Sequence, residues 1–282
     1  MSIVERVLAW FSEQDTAIYL VGGSVRDQIL GRELYDLDLA VSGDGLDLAR
    51  RLANDLGGAY YPLDEERGTG RTILSKSQDK RLIVDVAGFR GSGPSAPTLA
   101  TDLALRDFTV NALARNVRAP QEVIDYHNGL ADLEAHCIRP ISQEIIRNDP
   151  LRALRAVRQA AEMDFALAPE TEELIRRDGP ALAQVSGERV RDELARILAP
   201  HGAATSLYRL DDLGILTNIL PELESLRSLA QPLPHHLPVL AHSLQAVNTL
   251  ELVLEQINHP ESPVADTQHL IPSIRPLLPF AP

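Results

Sequence analysis

The sequence predicts an α+β chain in which a mixed head, residues 1–138, is followed by helices alone. Two observations predict it. Short apolar or alternating stretches with the period of a strand recur through the first half, at 17–21, 36–41, 59–63, 71–74 and 81–90. From Arg139 the strand signals stop, and amphipathic segments broken by proline and glycine take over. A third observation places the chemistry: the first strand runs into Gly22-Gly23 and then a short helix from Ser24, which Gly31 can end in a left-handed conformation.

Taken in order, residues 2–14 read as an amphipathic helix with Val4, Val7, Leu8 and Phe11 on one face. A second helix is expected at 46–56, closed by Gly57-Gly58, before the strands at 59–63 and 71–74. The strand at 81–90 is apolar enough to lie centrally and carries Asp85 in its middle. Residues 88–97 form a Gly/Ser/Pro loop. Helices are then expected at 149–161, 167–177, 187–198, 203–213, 216–226 and 239–257, the last preceded by Pro232, Pro234 and Pro238 around His235-His236 and containing His242. A proline-rich tail, 259–282, ends the sequence.

At 282 residues, 44% hydrophobic and 24% charged, the chain has the composition of a soluble globular protein with more than one module. Its first residues include Glu5 and no long apolar run, so neither a signal peptide nor a membrane anchor is expected. The single Cys137 excludes an internal disulfide and a cysteine-based zinc site, which fits a cytoplasmic setting. A formal charge of −13 argues against broad, sequence-independent nucleic-acid binding. It leaves room for a local track, because only Lys76 and Lys80 are lysines and many arginines lie between Arg139 and Arg196. Arginine suits bidentate phosphate and base-edge contacts.

Gly22 and Gly23 let a backbone approach a ligand closely, and the helix start behind them offers N–H groups to an anion. Alone, the pair reads equally well as a tight turn. Asp36 and Asp38 lie two apart in an alternating strand, so their carboxylates share a face roughly 7 Å apart at the backbone. Side chains converging from there suit two Mg²⁺ ions about 3.5 to 4 Å apart; the competing reading is a pair of outward-facing polar residues. Asp85 in an apolar strand is costly unless paired or metal-bound, so it is either a third acidic residue of that site or the partner of Arg81 or Arg90. In the stretch 149–161, Asp149, Arg152, Arg155 and Arg158 are spaced to form one stripe of a helix surface, which is either a solvated, salt-bridged face or a binding surface.

The run Gly22-Gly-Ser-Val-Arg-Asp-Gln-Ile-Leu-Gly31 followed by Asp36-Leu-Asp38 resembles the first motif of the class II tRNA nucleotidyltransferase and poly(A) polymerase family, within the polymerase-β-like nucleotidyltransferase group. The likeness continues in the family's order through Arg106-Asp-Phe-Thr-Val-Asn-Ala-Leu-Ala114, Asp125 with Gly129 to Leu133, Asp149-Pro-Leu-Arg-Ala-Leu-Arg-Ala-Val-Arg158 and Glu188-Arg-Val-Arg-Asp-Glu-Leu194.

The resemblance implies a nucleotidyltransferase head over 1–138, a helical neck and body over 139–228 that binds nucleotide and RNA, and a truncated segment of the HD phosphohydrolase type over 229–282 without metal-binding histidines. It implies template-independent transfer from CTP or ATP to an RNA 3′ end, most naturally tRNA, with the nucleotide between head and neck. Asp36 and Asp38 would hold Mg²⁺, Asp85 would assist them, and Gly22, Gly23, Arg26 and Arg106 would position the phosphates. Asp149 and Arg152 would read the base edge, supported by Arg155 and Arg158. Two departures stand out: Leu105 where the family usually has the first arginine of Arg-Arg-Asp, and Asn148 where it usually has glutamate. Variants that add only CC, only A, or a poly(A) tail share these motifs. The other readings left open are a small-molecule nucleotidyltransferase and a catalytically weakened nucleotide- or RNA-binding remnant.

Overall fold

A computed structural model describes residues 1–75, 81–91, 96–199 and 202–258. Lys76, Lys80, the middle of the Gly/Ser/Pro loop and the tail expected at 259–282 lie outside the described residues. The chain divides into two compact units, Met1–Ser142 and Gln143–Pro282.

The first unit is a seven-stranded sheet with helices. Its elements run α1 (Ile3–Ser12), β1 (Ile18–Val21), α2 (Gly23–Ile29), β2 (Asp36–Val41), α3 (Gly45–Leu56), β3 (Ala59–Asp64), β4 (Thr69–Ser75), β5 (Arg81–Gly88), α4 (Leu99–Ala104), β6 (Leu113–Asn116), β7 (Ala119–Asp125) and α5 (Gly129–Glu134). The strand order is β3-β4-β5-β2-β1-β6-β7. Only β2 and β5 pair in parallel, because α3 and the β3–β4 hairpin carry the chain across between them.

Alternation along the central strands sorts the side chains. Leu37, Leu39 and Val41 of β2 are fully buried, as are Leu82, Val84 and Val86 of β5, so both strands send one face into the core. The intervening positions of β2 are Asp36, Asp38 and Ala40. Behind Ala40, Val21 of β1 and Ala114 of β6 pack with Leu99 and Leu103 of α4, which places that helix over the same region of the sheet. Burial of this apolar set stabilises the unit at roughly 25 cal/mol per Å².

Helix ends follow local chemistry. Ser2 and Glu5 exchange hydrogen bonds in a capping box at α1, and Asp44 accepts from the N–H groups of Leu46 and Asp47 at α3. Gly31, at φ +69°, takes the left-handed conformation expected after α2.

Among its described residues the second unit is helical apart from a two-residue strand, Ala166–Leu167, which the sequence pattern did not indicate. Its helices are α6 (Ile145–Asn148), α7 (Leu151–Met163), α8 (Pro169–Asp178), α9 (Gly187–Leu198), α10 (Ala203–Asp212), α11 (Leu216–Ile219) and α12 (Val239–Asn258). Leu151, Leu154 and Val157 of α7 are buried, as the apolar stripe required. The described part of the segment from 229, read in the sequence as a truncated or eroded module, falls in the same compact unit as the preceding helices. Leu240 and Leu244 of α12 are buried, and Glu251 accepts from the N–H groups of Gly202, Ala203 and Ala204 at the start of α10.

Candidate active site

The glycine turn is shaped by an arginine lying on it. Gly22 sits at φ +69°, and a Cβ there would stand 2.4 Å from Nη1 of Arg106. Any side chain at this position would displace the guanidinium as well as strain the backbone. The Gly22 N–H donates to the Leu113 carbonyl at 3.0 Å, so β6 fixes the turn from the other side.

Ser24 ties this turn to the two aspartates. Its hydroxyl accepts from the Asp38 N–H at 2.8 Å and donates to the Asp36 carbonyl at 3.2 Å, bridging α2 to β2 at the dipeptide step between the carboxylates. Sequence reading assigned Ser24 only a helix start. Asp36 is exposed and Asp38 half-buried, both on the sheet face opposite Leu37 and Leu39.

Asp38 stands beside Asp85 in the parallel β2–β5 ladder, and Asp85 stands beside Arg71 in the antiparallel β4–β5 ladder. The resulting cross-strand row is Arg71, Asp85, Asp38. Arg71 Nε and Nη2 reach the two Asp85 oxygens at 2.7 Å each. Asp85 is therefore paired, but by Arg71 rather than by the Arg81 or Arg90 that the sequence suggested. Arg90 turns instead to Asp102 of α4, with Nε at 2.7 Å from Oδ1, and Arg106 Nη2 reaches the other oxygen of the same carboxylate at 3.1 Å.

The electrostatics follow from these pairings. Burial, with the neighbouring Asp85 and Asp36 carboxylates, pushes the Asp38 carboxyl up, while Arg106 and Arg71 hold it partly down. Burial would also raise Asp102, but the hydrogen bond from Arg90 and the charges of Arg106 and Arg90 more than offset it, leaving Asp102 below its ordinary value. Asp38, Asp85, Arg90, Asp102 and Arg106 line one cleft of about 410 Å³. The buried Nε of Arg106 has no hydrogen-bond partner among the described residues.

Arg26, expected at the phosphates, has its guanidinium beside the glycine turn, with Nη2 3.4 Å from the Cβ position of Gly23. Its Nη1 donates to Asn111 Oδ1 at 2.6 Å and its Nε to Asp27 at 2.9 Å, while Asn111 Nδ2 donates to Asp107 Oδ1 at 2.8 Å. A polar chain thus runs from α2 into the Arg106-Asp107 segment.

The donor set suits a hard divalent cation. Asp36 and Asp38 present carboxylate oxygens only, the ligands Mg²⁺ selects, and the strain of ionising Asp38 among carboxylates is of the kind a cation relieves. No group of three or more His, Cys, Asp or Glu is gathered for a metal among the described residues, consistent with Arg71 engaging Asp85. His235 and His242 contact each other edge to face at 4.7 Å and are part of no such group.

In the helical unit the expected stripe is broken at its first member. Asp149 precedes α7 with an extended backbone, φ −150° and ψ 97°, because Pro150 disfavours helical geometry in the residue before it. Its oxygens accept from Arg189 of α9 at 3.0 and 3.2 Å, so its charged partner is Arg189. Arg152 Nη1 reaches the Ile145 carbonyl at 3.4 Å, and Arg155 is half-buried on the same helix. Arg158 binds Glu193 of α9 and lies 2.8 Å from Glu162; these partners keep its guanidinium firmly protonated against the opposing effect of burial. Arg189 and Glu193 belong to the 188–194 motif, so the signal for them lay in the sequence without a role attached.

Residues 18–139 match the poly A polymerase head domain, and residues 164–226 match the probable RNA and SrmB-binding site of polymerase A. The chain belongs to the tRNA nucleotidyltransferase and poly(A) polymerase family. Among its relatives, the CC-adding tRNA nucleotidyltransferase of Geobacter sulfurreducens is 41% identical over 69% of this chain and 46% of its own length. The A-adding tRNA nucleotidyltransferase of Deinococcus radiodurans is 39% identical over 82% of this chain and 51% of its own. The chain thus spans about half the length of the curated family members it matches. A crystal structure of a tRNA nucleotidyltransferase complexed with a primer tRNA and an incoming ATP analog superposes with a TM-score of 0.73, at 28% identity over 92% of this chain and 71% of that one. No helix among the described residues is long and apolar enough to cross a membrane.

Proposed function

We propose that this chain transfers nucleotidyl groups from CTP or ATP to the 3′ end of tRNA without a template, adding CCA or part of it, in the cytoplasm. The observation that carries the reading is the placement of Asp36 and Asp38 on one face of β2, with the Ser24 hydroxyl bonded to the backbone of both.

In this reaction the RNA 3′-oxygen attacks the α-phosphorus, and the bond to pyrophosphate breaks. Mg²⁺, when bound, supplies charge neutralisation and helps ionise the 3′-hydroxyl. Asp36 and Asp38 would hold the ions, and Ser24 keeps the backbone of the two aspartates in register. Asp85, restrained by Arg71, acts on that site through its charge beside Asp38. Gly22 and Gly23 keep the turn bare at the triphosphate, Gly22 making room for the guanidinium of Arg106, which steadies the phosphates. Arg26 fixes the turn through Asn111. In the helical unit Asp149 and Arg152 select the base, and Arg155 and Arg158 support them, Arg158 being bonded to Glu193 of α9.

The deciding experiment supplies tRNAs ending before A, CA or CCA with CTP and ATP, separately and together, in the presence of Mg²⁺. Extension by one to three defined residues supports the reading; a long adenylate tail identifies a poly(A) polymerase instead. Leu105 and Asn148, at positions where the family usually carries charge, favour a second reading as a weakened binding remnant. That remnant would retain CTP and extend nothing.

A further inference from the structure

We infer that Arg90 supplies a second triphosphate-binding cation of the head, beside Arg106. The inference rests on the nucleotidyl-transfer reading above. Arg90 and Arg106 approach the same carboxylate from different elements, the end of β5 and the segment after α4. Asp102 is 2% exposed and ionised, held low by these two guanidiniums, so it fixes both without help from solvent.

Both arginines line the cleft that also contains Asp38 and Asp85. Arg90 spends Nε and Nη2 on Asp102, at 2.7 and 3.4 Å, which leaves Nη1 with no hydrogen-bond partner among the described residues. Arg106 contributes Nη1 over Gly22 and the buried, unpartnered Nε. One carboxylate against two guanidiniums leaves a net positive charge facing the acidic row of β2 and β5. A polyphosphate carrying a divalent cation matches that polarity: its anionic oxygens suit the arginines and its cation suits the aspartates.

The test compares CTP and CMP binding by calorimetry in Mg²⁺ without RNA, so that no turnover occurs. Arg90→Gln is expected to weaken CTP binding about ten-fold and to leave CMP binding nearly unchanged. Equal weakening of CTP and CMP, or an unchanged CTP affinity, would overturn the inference. Should Arg90→Gln fail to fold by its melting curve, Arg90→Lys keeps the charge without the planar fork and is expected to bind CTP about three-fold more weakly; parental affinity there overturns the inference equally. Absence of CTP binding by the parent protein would instead defeat the nucleotidyl-transfer reading, and this inference with it.

Discussion

Arg71 grips both carboxylate oxygens of Asp85 from the neighbouring strand, at 2.7 Å each, one position away from Asp38 across the sheet. The pair separates Asp85 from the role of an unencumbered metal ligand and supplies the cation that makes an aspartate tolerable in the middle of β5. Arg71→Ala would leave Asp85 and Asp38 as adjacent like charges. The expected cost is about 1 kcal/mol, since both side chains are partly exposed. Mg²⁺ should then raise the melting temperature of the variant more than that of the parent, because the cation takes over the missing charge. Equal shifts in the two proteins would show that the row is electrostatically independent of cation binding.

Asp38 provides the pH-dependent counterpart. Its folded-state carboxyl titrates above the ordinary value, so the folded chain binds this proton more tightly than the unfolded chain does. The associated stability is present below the unfolded pKa, about 3.9, and is lost as pH rises through the folded value. Asp38→Asn should therefore melt higher than the parent at neutral pH without divalent cation, with the gap closing in acid and on adding Mg²⁺ to the parent. Nucleotidyl transfer should fall on the order of a hundred-fold or more in the same variant. A variant that melts like the parent at every pH would remove Asp38 from the buried, carboxylate-crowded setting described.

The opposite sign applies to Asp102. Its folded pKa lies below the ordinary value, so its stabilisation is full above the unfolded pKa and disappears as pH falls through the folded one. Asp102→Asn breaks a buried carboxylate away from two guanidiniums and is expected to cost about 3 kcal/mol at pH 7. Chemical denaturation of both proteins from pH 7 down to about pH 2 should bring the two curves together. A constant difference across that range would mean that the loss is one of shape and not of charge.

The contrast between these residues explains what was legible in the sequence. Features set by neighbours in the chain could be read directly: the β1–turn–α2–β2 order, the common face of Asp36 and Asp38, and the left-handed Gly31 all appear as expected. Partnerships set by register and packing could not. Arg71 and Asp85, fourteen residues apart, meet only because β4 and β5 pair with one particular alignment, whereas Arg90 is much nearer Asp85 in sequence yet bonds to a helix. Asp149 is the instructive miss, because Pro150 carried the information that the residue before it would be extended. The alignment of Asp149 with Arg152 on one helix face required overlooking that restriction. β6 and β7 carried little such signal: β6 is four residues long, and β7, Ala119–Asp125, is an exposed edge strand with a proline and no alternation of apolar residues.

Glu251 shows that α12 is part of the helical body. Its carboxylate accepts three consecutive N–H groups at the start of α10, from 2.8 to 3.0 Å, a position where the helix dipole also favours negative charge. Glu251→Gln keeps one acceptor oxygen and loses the charge, for an expected loss of about 1 kcal/mol; Glu251→Ala should lose about 2 kcal/mol. Denaturant melts followed by circular dichroism should show one transition moving down in both variants. A separate, unaffected transition for the main body would indicate that α12 is only loosely attached.

Base choice tests the reassigned partner of Asp149. An aspartate accepts from the amino group of cytosine or adenine, whereas uracil and guanine present a carbonyl at that edge and leave polar groups unpaired at about 1 to 3 kcal/mol each. If Asp149 reads that edge its carboxylate must be fixed, and besides the Leu151 N–H at 3.3 Å the charged group that fixes it is Arg189 of α9, through two hydrogen bonds from one nitrogen. Arg189→Ala should therefore lower use of CTP and ATP and narrow their advantage over UTP and GTP by about ten-fold, with the dependence on Mg²⁺ unchanged. Arg152→Ala should narrow it as well, through loss of the donor that accompanies the acceptor. If Arg189→Ala retains parental selectivity while Arg152→Ala does not, Asp149 is held by its own backbone geometry ahead of Pro150. Glutamate in place of Asn148 offers a complementary check: added beside Asp149, it should sharpen discrimination if a second carboxylate restrains the guanidinium of Arg152, and leave it unchanged if Arg189 already completes the arrangement.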